Sequence, residues 1–275
     1  MAINLDLLKK KLTQLETANQ KGEKVDVLWK AEAGTSIIRI VPYQFDKENP
    51  FIELKFHYEF GKQMLSPSTF GRPDPIVDFA SKLKSTGKKE DWSLGRKIEP
   101  KMRIYVPIIV RGREAEGVKF WGFGNTVYKE LLGYLADPDY GDITDPVSGR
   151  DITIEFKTKE QTGKDFPETS LRIKPATSPV STDKAIIQKI ASGQKNITEV
   201  FKEPTYAELE AALHKFLDAD GTGSVASDVT GTASIVDETP AKSNVGKKNT
   251  TSSKPNSTST VTDVASAFDA LFKNN

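Results

Sequence analysis

Dense apolar patterning breaks off after Leu217 and returns only in a short terminal stretch, and that break constrains the fold more than any other feature of the chain. Across residues 218–275 the only aromatics are Phe268 and Phe272, while Ser, Thr, Gly and Asn dominate. Such a segment cannot bury enough apolar surface to offset the entropy of ordering it, so it reads as a disordered tail. Residues 1–20 separate in turn: Leu5, Leu8, Leu12 and Leu15 share one helical face, Asn4 or Asp6 can cap it, and Lys9, Lys10 and Lys11 cluster around it. The expected organisation is a helical, basic arm at 1–20, a folded core at 21–217 and a tail at 218–275.

The core reads mainly as strands. Ser36–Val41 is a β-branched run stopped by Pro42, and Ile52, Leu54, Phe56, Tyr58 and Phe60 alternate with Glu53, Lys55, His57 and Glu59 at a period of two. Further strands are expected at Arg103–Val110, Val118–Phe123, Asp151–Thr158 and Ser170–Lys174. Asn125 caps a helix through Tyr128, Leu131, Leu132 and Leu135. Thr205 to Glu208 has capping-box form ahead of Leu209, Leu213, Phe216 and Leu217. The fold class is mainly β within α+β, with short helices; a Greek-key barrel of the OB type fits, as do other all-β and α+β folds.

Several chemistries are excluded. The chain has no Cys, which removes disulfides, thiol nucleophiles and thiolate zinc sites. No Gly-x-x-x-x-Gly-Lys-Ser/Thr occurs, and Gly122-Phe123-Gly124 lacks the third glycine of a dinucleotide fingerprint. His57 falls on the polar side of its alternating strand and reads as a surface residue; His214 is a weaker candidate for catalysis. Asp218 to Gly223 resembles the start of a calcium loop, but position twelve is Val229 rather than Glu. Asp137, Asp139, Asp142 and Asp145 offer a divalent-metal site for phosphodiester chemistry, yet they lie among turn formers, and Asp caps turns with its own side chain. The N-terminus lacks the order of a signal peptide, and no apolar run reaches the about 18 residues of a membrane helix. A soluble, cytoplasmic protein is expected.

The formal net charge of +1 conceals an uneven distribution. Residues 82–119 carry eleven Lys/Arg against five Asp/Glu, a net of +6, and the tail from 218 is −2. Within and beyond that segment, Trp92, Tyr105, Trp121 and Phe166 are interleaved with Arg96, Lys97, Lys101, Arg103, Arg111 and Lys119. Single-stranded nucleic acid needs a positive groove for its phosphates and aromatic platforms for its bases. Period two places Lys119, Trp121 and Phe123 on one strand face, and a Lys beside a Trp marks that face as exposed. Trp92, flanked by Lys88, Lys89, Glu90 and Asp91, is also expected to be accessible. At the far end, Val264, Phe268, Leu271 and Phe272 fall at helical spacing, as in a peptide that folds into a partner's groove.

The order of several local patterns is similar to the single-stranded DNA-binding proteins of T-even-like phages, over most of residues 1–217. They are the basic arm; Ile37-Ile38-Arg39-Ile40-Val41-Pro42 leading to Asn49-Pro50-Phe51; Trp92-Ser93-Leu94-Gly95-Arg96-Lys97; and Glu116 to Gly124. Tyr140 to Pro146 and Gly149 to Ile152 look most like marine-phage versions. The resemblance implies an OB-fold core with a basic, aromatic-lined cleft, cooperative alignment along the strand through the arm, and a tail that recruits replication and recombination proteins. It places Trp92, Trp121 and Phe166 at cleft aromatics, Arg96 and Lys97 in the basic stretch, and Lys9, Lys10, Lys11 and Thr13 in the arm's basic-hydroxyl run, with Leu12 replacing one hydroxyl. It also implies a zinc site of one His and three Cys, which this chain cannot build: His57 stands near the histidine, but Ser66 and Phe70 to Ile76 stand where thiolates belong.

The function expected is cooperative, sequence-nonspecific single-stranded DNA binding in phage replication, recombination and repair, without catalysis and without zinc. Phosphates would meet Arg96, Lys97, Lys101, Arg103, Arg111 and Lys119; bases would stack on Trp92, Trp121 and Tyr105 or Phe166. Phe268, Leu271 and Phe272 would bind partner proteins, and copies would self-associate along DNA. The alternatives are a metal-dependent nuclease using Asp137, Asp139, Asp142 and Asp145, and a phage structural protein.

Overall fold

A computed structural model describes residues 27–218. The arm and most of the tail, with Lys9, Lys10, Lys11, Thr13, Phe268, Leu271 and Phe272, lie outside the described residues. The described chain forms two compact units: residues 27–53 with 103–202, and residues 54–102 with 203–218. Strands run β1 (Leu28–Trp29), β2 (Gly34–Ile40), β3 (Ile52–His57), β4 (Met64–Leu65), β5 (Lys101–Val110), β6 (Lys119–Phe123), β7 (Arg150–Lys157) and β8 (Glu168–Thr177). Together with short helices they make the mixed α+β fold that the sequence pattern indicates.

The first unit is a sheet in the order β1-β6-β5-β2-β7-β8, antiparallel except for β1 beside β6. β2 is central, pairing Ile38 with Val110 on one side and with Ile152 on the other. Its second half is covered on both faces: Ile38, Arg39 and Ile40 are all fully buried. The guanidinium of Arg39 is accommodated because Nε donates to Asp151 Oδ1 at 3.1 Å and Nη2 to Ser178 Oγ at 2.8 Å. The expected helix after β6 spans Asn125–Ala136; its N-cap is Gly124 rather than Asn125, which is the first helical residue.

The second unit pairs a short hairpin, with Phe56 opposite Leu65 and His57 opposite Met64, and three helices. Two of those helices, Pro75–Ser85 and Lys89–Ile98, are absent from the strand-dominated expectation for this stretch. Their signals are nevertheless local. Asp74 caps the first by accepting from the N–H groups of Ile76 and Val77, Pro75 sits at the tolerated first position, and Ile76, Phe79, Ala80 and Leu83 follow at helical spacing. Gly95 allows the two helices to touch: a Cβ there would lie 2.8 Å from the Ala80 carbonyl oxygen. The third helix, Tyr206–Asp218, carries the expected capping box: Glu208 Oε2 accepts from Thr205 N at 2.7 Å, and Thr205 Oγ1 from Glu208 N at 3.2 Å. Leu209, Leu213 and Phe216 pack with Ile76, Phe79, Leu83 and Ile98 in one apolar cluster.

His57 corrects the surface reading. It is fully buried, because the alternation of β3 ends at Phe56 and His57 turns into the second unit. Its Nδ1 donates to the Ile98 carbonyl at 3.2 Å, and its Nε2 meets Asp74 Oδ2 at 2.9 Å. Ser66 Oγ donates to the same carboxylate oxygen at 2.5 Å. Burial alone would raise the Asp74 carboxyl, but the hydrogen bond and charge of His57, with hydrogen bonds from Ser66 and Val77, hold it below the ordinary range. No helix among the described residues is long and apolar enough to cross a membrane.

Candidate nucleic-acid interface

In the second unit, one helix turn brings an exposed aromatic and a cation together. Trp92 and Arg96 are four residues apart in Lys89–Ile98, so they stand on the same face. Trp92 is 48% exposed, and the Arg96 guanidinium lies 5.3 Å from its ring centroid. Lys97 points elsewhere: Nζ lies 6.0 Å from the Phe216 ring and 4.0 Å from Glu59. Glu90 and Asp91 occupy the helix's first turn and Arg96 and Lys97 its last, the arrangement that the helix dipole favours. Asp91 is buried and accepts from Thr86 Oγ1 at 2.7 Å, which fixes the turn between the two helices. Lys82, Lys88 and Lys89 are exposed around this hairpin, whereas Lys84 pairs with Glu99. Lys101, at the start of β5, is half-buried. The result is a rigid, basic helical hairpin presenting one large aromatic ring to solvent.

The first unit treats its aromatics and arginines differently. Trp121 is only 4% exposed, edge-on to Trp29 at 6.1 Å and tilted against Phe123 at 4.6 Å. The expectation that Lys119, Trp121 and Phe123 line an exposed face is therefore overturned, because Trp121 and Phe123 are each 4% exposed and Trp121 packs against Trp29 and Phe123. Lys119 stands at the strand's start, 3.8 Å from Glu116. Tyr105 is 5% exposed and packs 5.2 Å from Phe201. Its ring lies across Gly122, where a Cβ would come within 2.6 Å of Tyr105 Cε1, so glycine is required by close approach. Arg103 donates to the Gly122 carbonyl at 2.5 Å. Phe166 is half-buried beside Lys164, whose Nζ lies 5.9 Å from the ring, in the connection between β7 and β8.

Arg111 is committed to the fold. Nε donates to Asp151 Oδ1 at 2.9 Å, Nη1 to the Val180 carbonyl at 2.6 Å and Nη2 to the Pro179 carbonyl at 3.0 Å. Asp151 thus joins Arg39 and Arg111 and ties β2 and β7 to the segment after β8. The geometry removes Arg111, Tyr105 and Trp121 from an accessible contact set and leaves Trp92 and Arg96 at its centre.

The four aspartates of the nuclease alternative act in turns. Asp137 Oδ1 accepts from Asp139 N at 3.0 Å, and Asp142 Oδ1 from Thr144 N at 2.8 Å. Asp145 Oδ1 accepts from Val147 N at 2.7 Å and Ser148 N at 2.8 Å, and these N–H groups hold its carboxyl below the ordinary range. Among the described residues, no group of three or more His, Asp or Glu is placed to hold a metal ion. The zinc site implied by the resemblance does not fit either: the chain has no thiolates, and His57 and Ser66 both bond to Asp74.

Sequence reasoning missed the helical hairpin although the i, i+4 spacing of Trp92 and Arg96 was available to find it. A family model described as gp32 DNA binding protein like matches residues 32–218. No curated protein matches the chain.

Proposed function

Because the chain belongs to the gp32-like DNA-binding protein family over residues 32–218, we propose that it binds single-stranded DNA with little sequence preference. The observation that carries this reading is the half-exposed Trp92 with Arg96 across its ring on a basic helical hairpin. A base has two π-faces and stacks on such a ring whatever its identity, while the surrounding cations meet phosphate without reading sequence. Arg96, Lys97 and Lys101 in the second unit, and Arg103 and Lys119 in the first, supply the phosphate contacts; Phe166 is a further stacking residue. The sheet of the first unit serves as an OB-type core. Binding is cooperative through the arm at 1–20, with Lys9, Lys10, Lys11 and Thr13 contacting the neighbouring copy, and Phe268, Leu271 and Phe272 recruit replication, recombination and repair proteins in the host cytoplasm. The protein works as a coating protein, not an enzyme, and needs no zinc.

Fluorescence titration of the full chain with oligo-dT over a salt series tests the reading. Tryptophan emission should be quenched, and log affinity should fall with log salt by about 0.7 for each phosphate neutralised. Absence of both quenching and salt dependence overturns it. Deleting residues 1–20 should reduce cooperativity on long strands far more than affinity for a short oligonucleotide.

A further inference from the structure

The second unit exposes three large apolar or aromatic side chains among its described residues: Phe70, Trp92 and Tyr206. Tyr206 stands among the carboxylates of Asp78, Glu210 and Asp74, surroundings that repel phosphate. Phe70 instead has a guanidinium over its ring. It is 40% exposed, and the Arg72 guanidinium lies 4.9 Å from its ring centroid, closer than Arg96 lies to Trp92. We propose that Phe70 and Arg72 form a second base-stacking and phosphate-binding platform for single-stranded DNA, an inference that rests on the DNA-binding reading above.

The geometry of the turn argues for a built site. Phe70 ends a 3-10 turn, Pro67–Phe70, and Gly71 follows in the left-handed region at φ 70°. That reversal lets Arg72 N donate to the Pro67 carbonyl at 3.1 Å, so the arginine folds back beside the ring. The segment is pinned at both ends. Ser66 N donates to the Lys55 carbonyl at 2.8 Å, and Lys55 N donates to Thr69 Oγ1 at 2.9 Å. Ser66 Oγ donates to Asp74 Oδ2, the oxygen that the buried His57 also meets. Arg72 Nη2 donates to Glu203 Oε2 at 2.5 Å, which fixes the guanidinium by one edge; its side chain remains 56% exposed. An exposed Phe held rigidly with a cation across it loses little conformational freedom when a base stacks on it. Arginine also contributes its planar face and fork to nucleic acid, which a lysine there would not.

Titration of the full chain with oligo-dT, and with an abasic oligonucleotide of the same length, separates stacking from charge. Phe70→Ala should weaken binding to oligo-dT about tenfold and leave binding to the abasic strand unchanged, with Phe70→Trp restoring the loss. Arg72→Gln should weaken both and lower the salt slope by about 0.7. Urea unfolding of each variant establishes that the second unit is intact. If folded Phe70→Ala binds oligo-dT like the parent, or loses affinity equally for the abasic strand, the platform is overturned while the DNA-binding reading stands. If the parent itself binds neither strand, both fall together.

Discussion

Trp121 in the first unit is 4% exposed and Trp92 in the second is 48% exposed, although both belong to one basic, aromatic-rich stretch of sequence. The arginines divide the same way. Arg39 and Arg111 converge on Asp151 inside the sheet unit, whereas Arg96 and Arg72 lie across aromatic rings at the surface of the helical one. Identical residue types therefore have opposite employment. A covered sheet has to satisfy every polar group it buries, so Arg39 and Arg111 are consumed by a carboxylate, a hydroxyl and carbonyls. A helical hairpin has a solvent face at every turn and can leave a ring and a guanidinium available.

Exchanging the two tryptophans' roles by mutation is the sharpest way to break this comparison. Trp121→Ala should destabilise the first unit by about 3–5 kcal/mol through the cavity it leaves against Trp29 and Phe123. Trp92→Ala should change stability by less than about 0.5 kcal/mol but weaken oligo-dT binding about tenfold. Denaturant unfolding and fluorescence or anisotropy titration measure the two quantities. If Trp92→Ala instead destabilises the protein by several kcal/mol with affinity unchanged, the ring is structural and the contrast between the units disappears.

Much of the sheet unit was legible in the sequence because its signals are local. β-branched runs and alternation located β2, β5, β6, β7 and β8 to within a few residues, and Thr205 with Glu208 announced the last helix. What alternation could not reveal was coverage. Period two put Lys119, Trp121 and Phe123 correctly on one face, but which face is buried depends on strands distant in sequence. His57 failed for the same reason: its partners are Asp74 and Ile98, 17 and 41 residues away. The paired helices at 75–98 carry local signals in the Asp74 cap and the spacing of Ile76, Phe79 and Leu83, but Pro73, Pro75 and the lysines around them equally suit turns and a charged surface. At the candidate interface, Trp92 was correctly expected to be accessible from its charged flanks, whereas Phe70 and Arg72 belong to a turn whose fold-back needs the left-handed Gly71.

Acid should separate the units in a second, smaller way. Asp74 is 2% exposed and its carboxyl is held below the ordinary range, so the unfolded chain binds a proton more readily than the folded one. Its stabilising contribution is present in full above the unfolded value of about 3.9 and is lost as pH falls through the folded value. Asp145 in the first unit is shifted in the same direction, but it is a partly exposed turn cap whose protonation leaves no buried carboxyl among acceptors. Hydrogen exchange followed from about pH 6 downward should show protection in the Pro75–Ser85 helix declining before that of β2, and Asp74→Asn should remove the difference in pH dependence. Simultaneous decline in both units would show that Asp74 has no particular hold on the second.

The salt dependence of binding gives the smallest effect and the finest resolution, because it counts phosphate contacts one at a time. Arg96→Gln keeps a similar helix propensity but removes a charge that lies over the Trp92 ring, so the slope of log affinity against log salt should decrease by about 0.7. Arg111→Gln removes a charge that the fold holds through Asp151, Val180 and Pro179; the folded protein should keep the parent slope while unfolding at lower denaturant. The two substitutions are chemically identical, so a difference between them reports only where each arginine is employed. Equal slopes for both variants would place Arg111 on the DNA as well, and the contrast between arginines held inside the sheet and those left at the surface of the helical unit would fail at the residue where it is drawn most sharply.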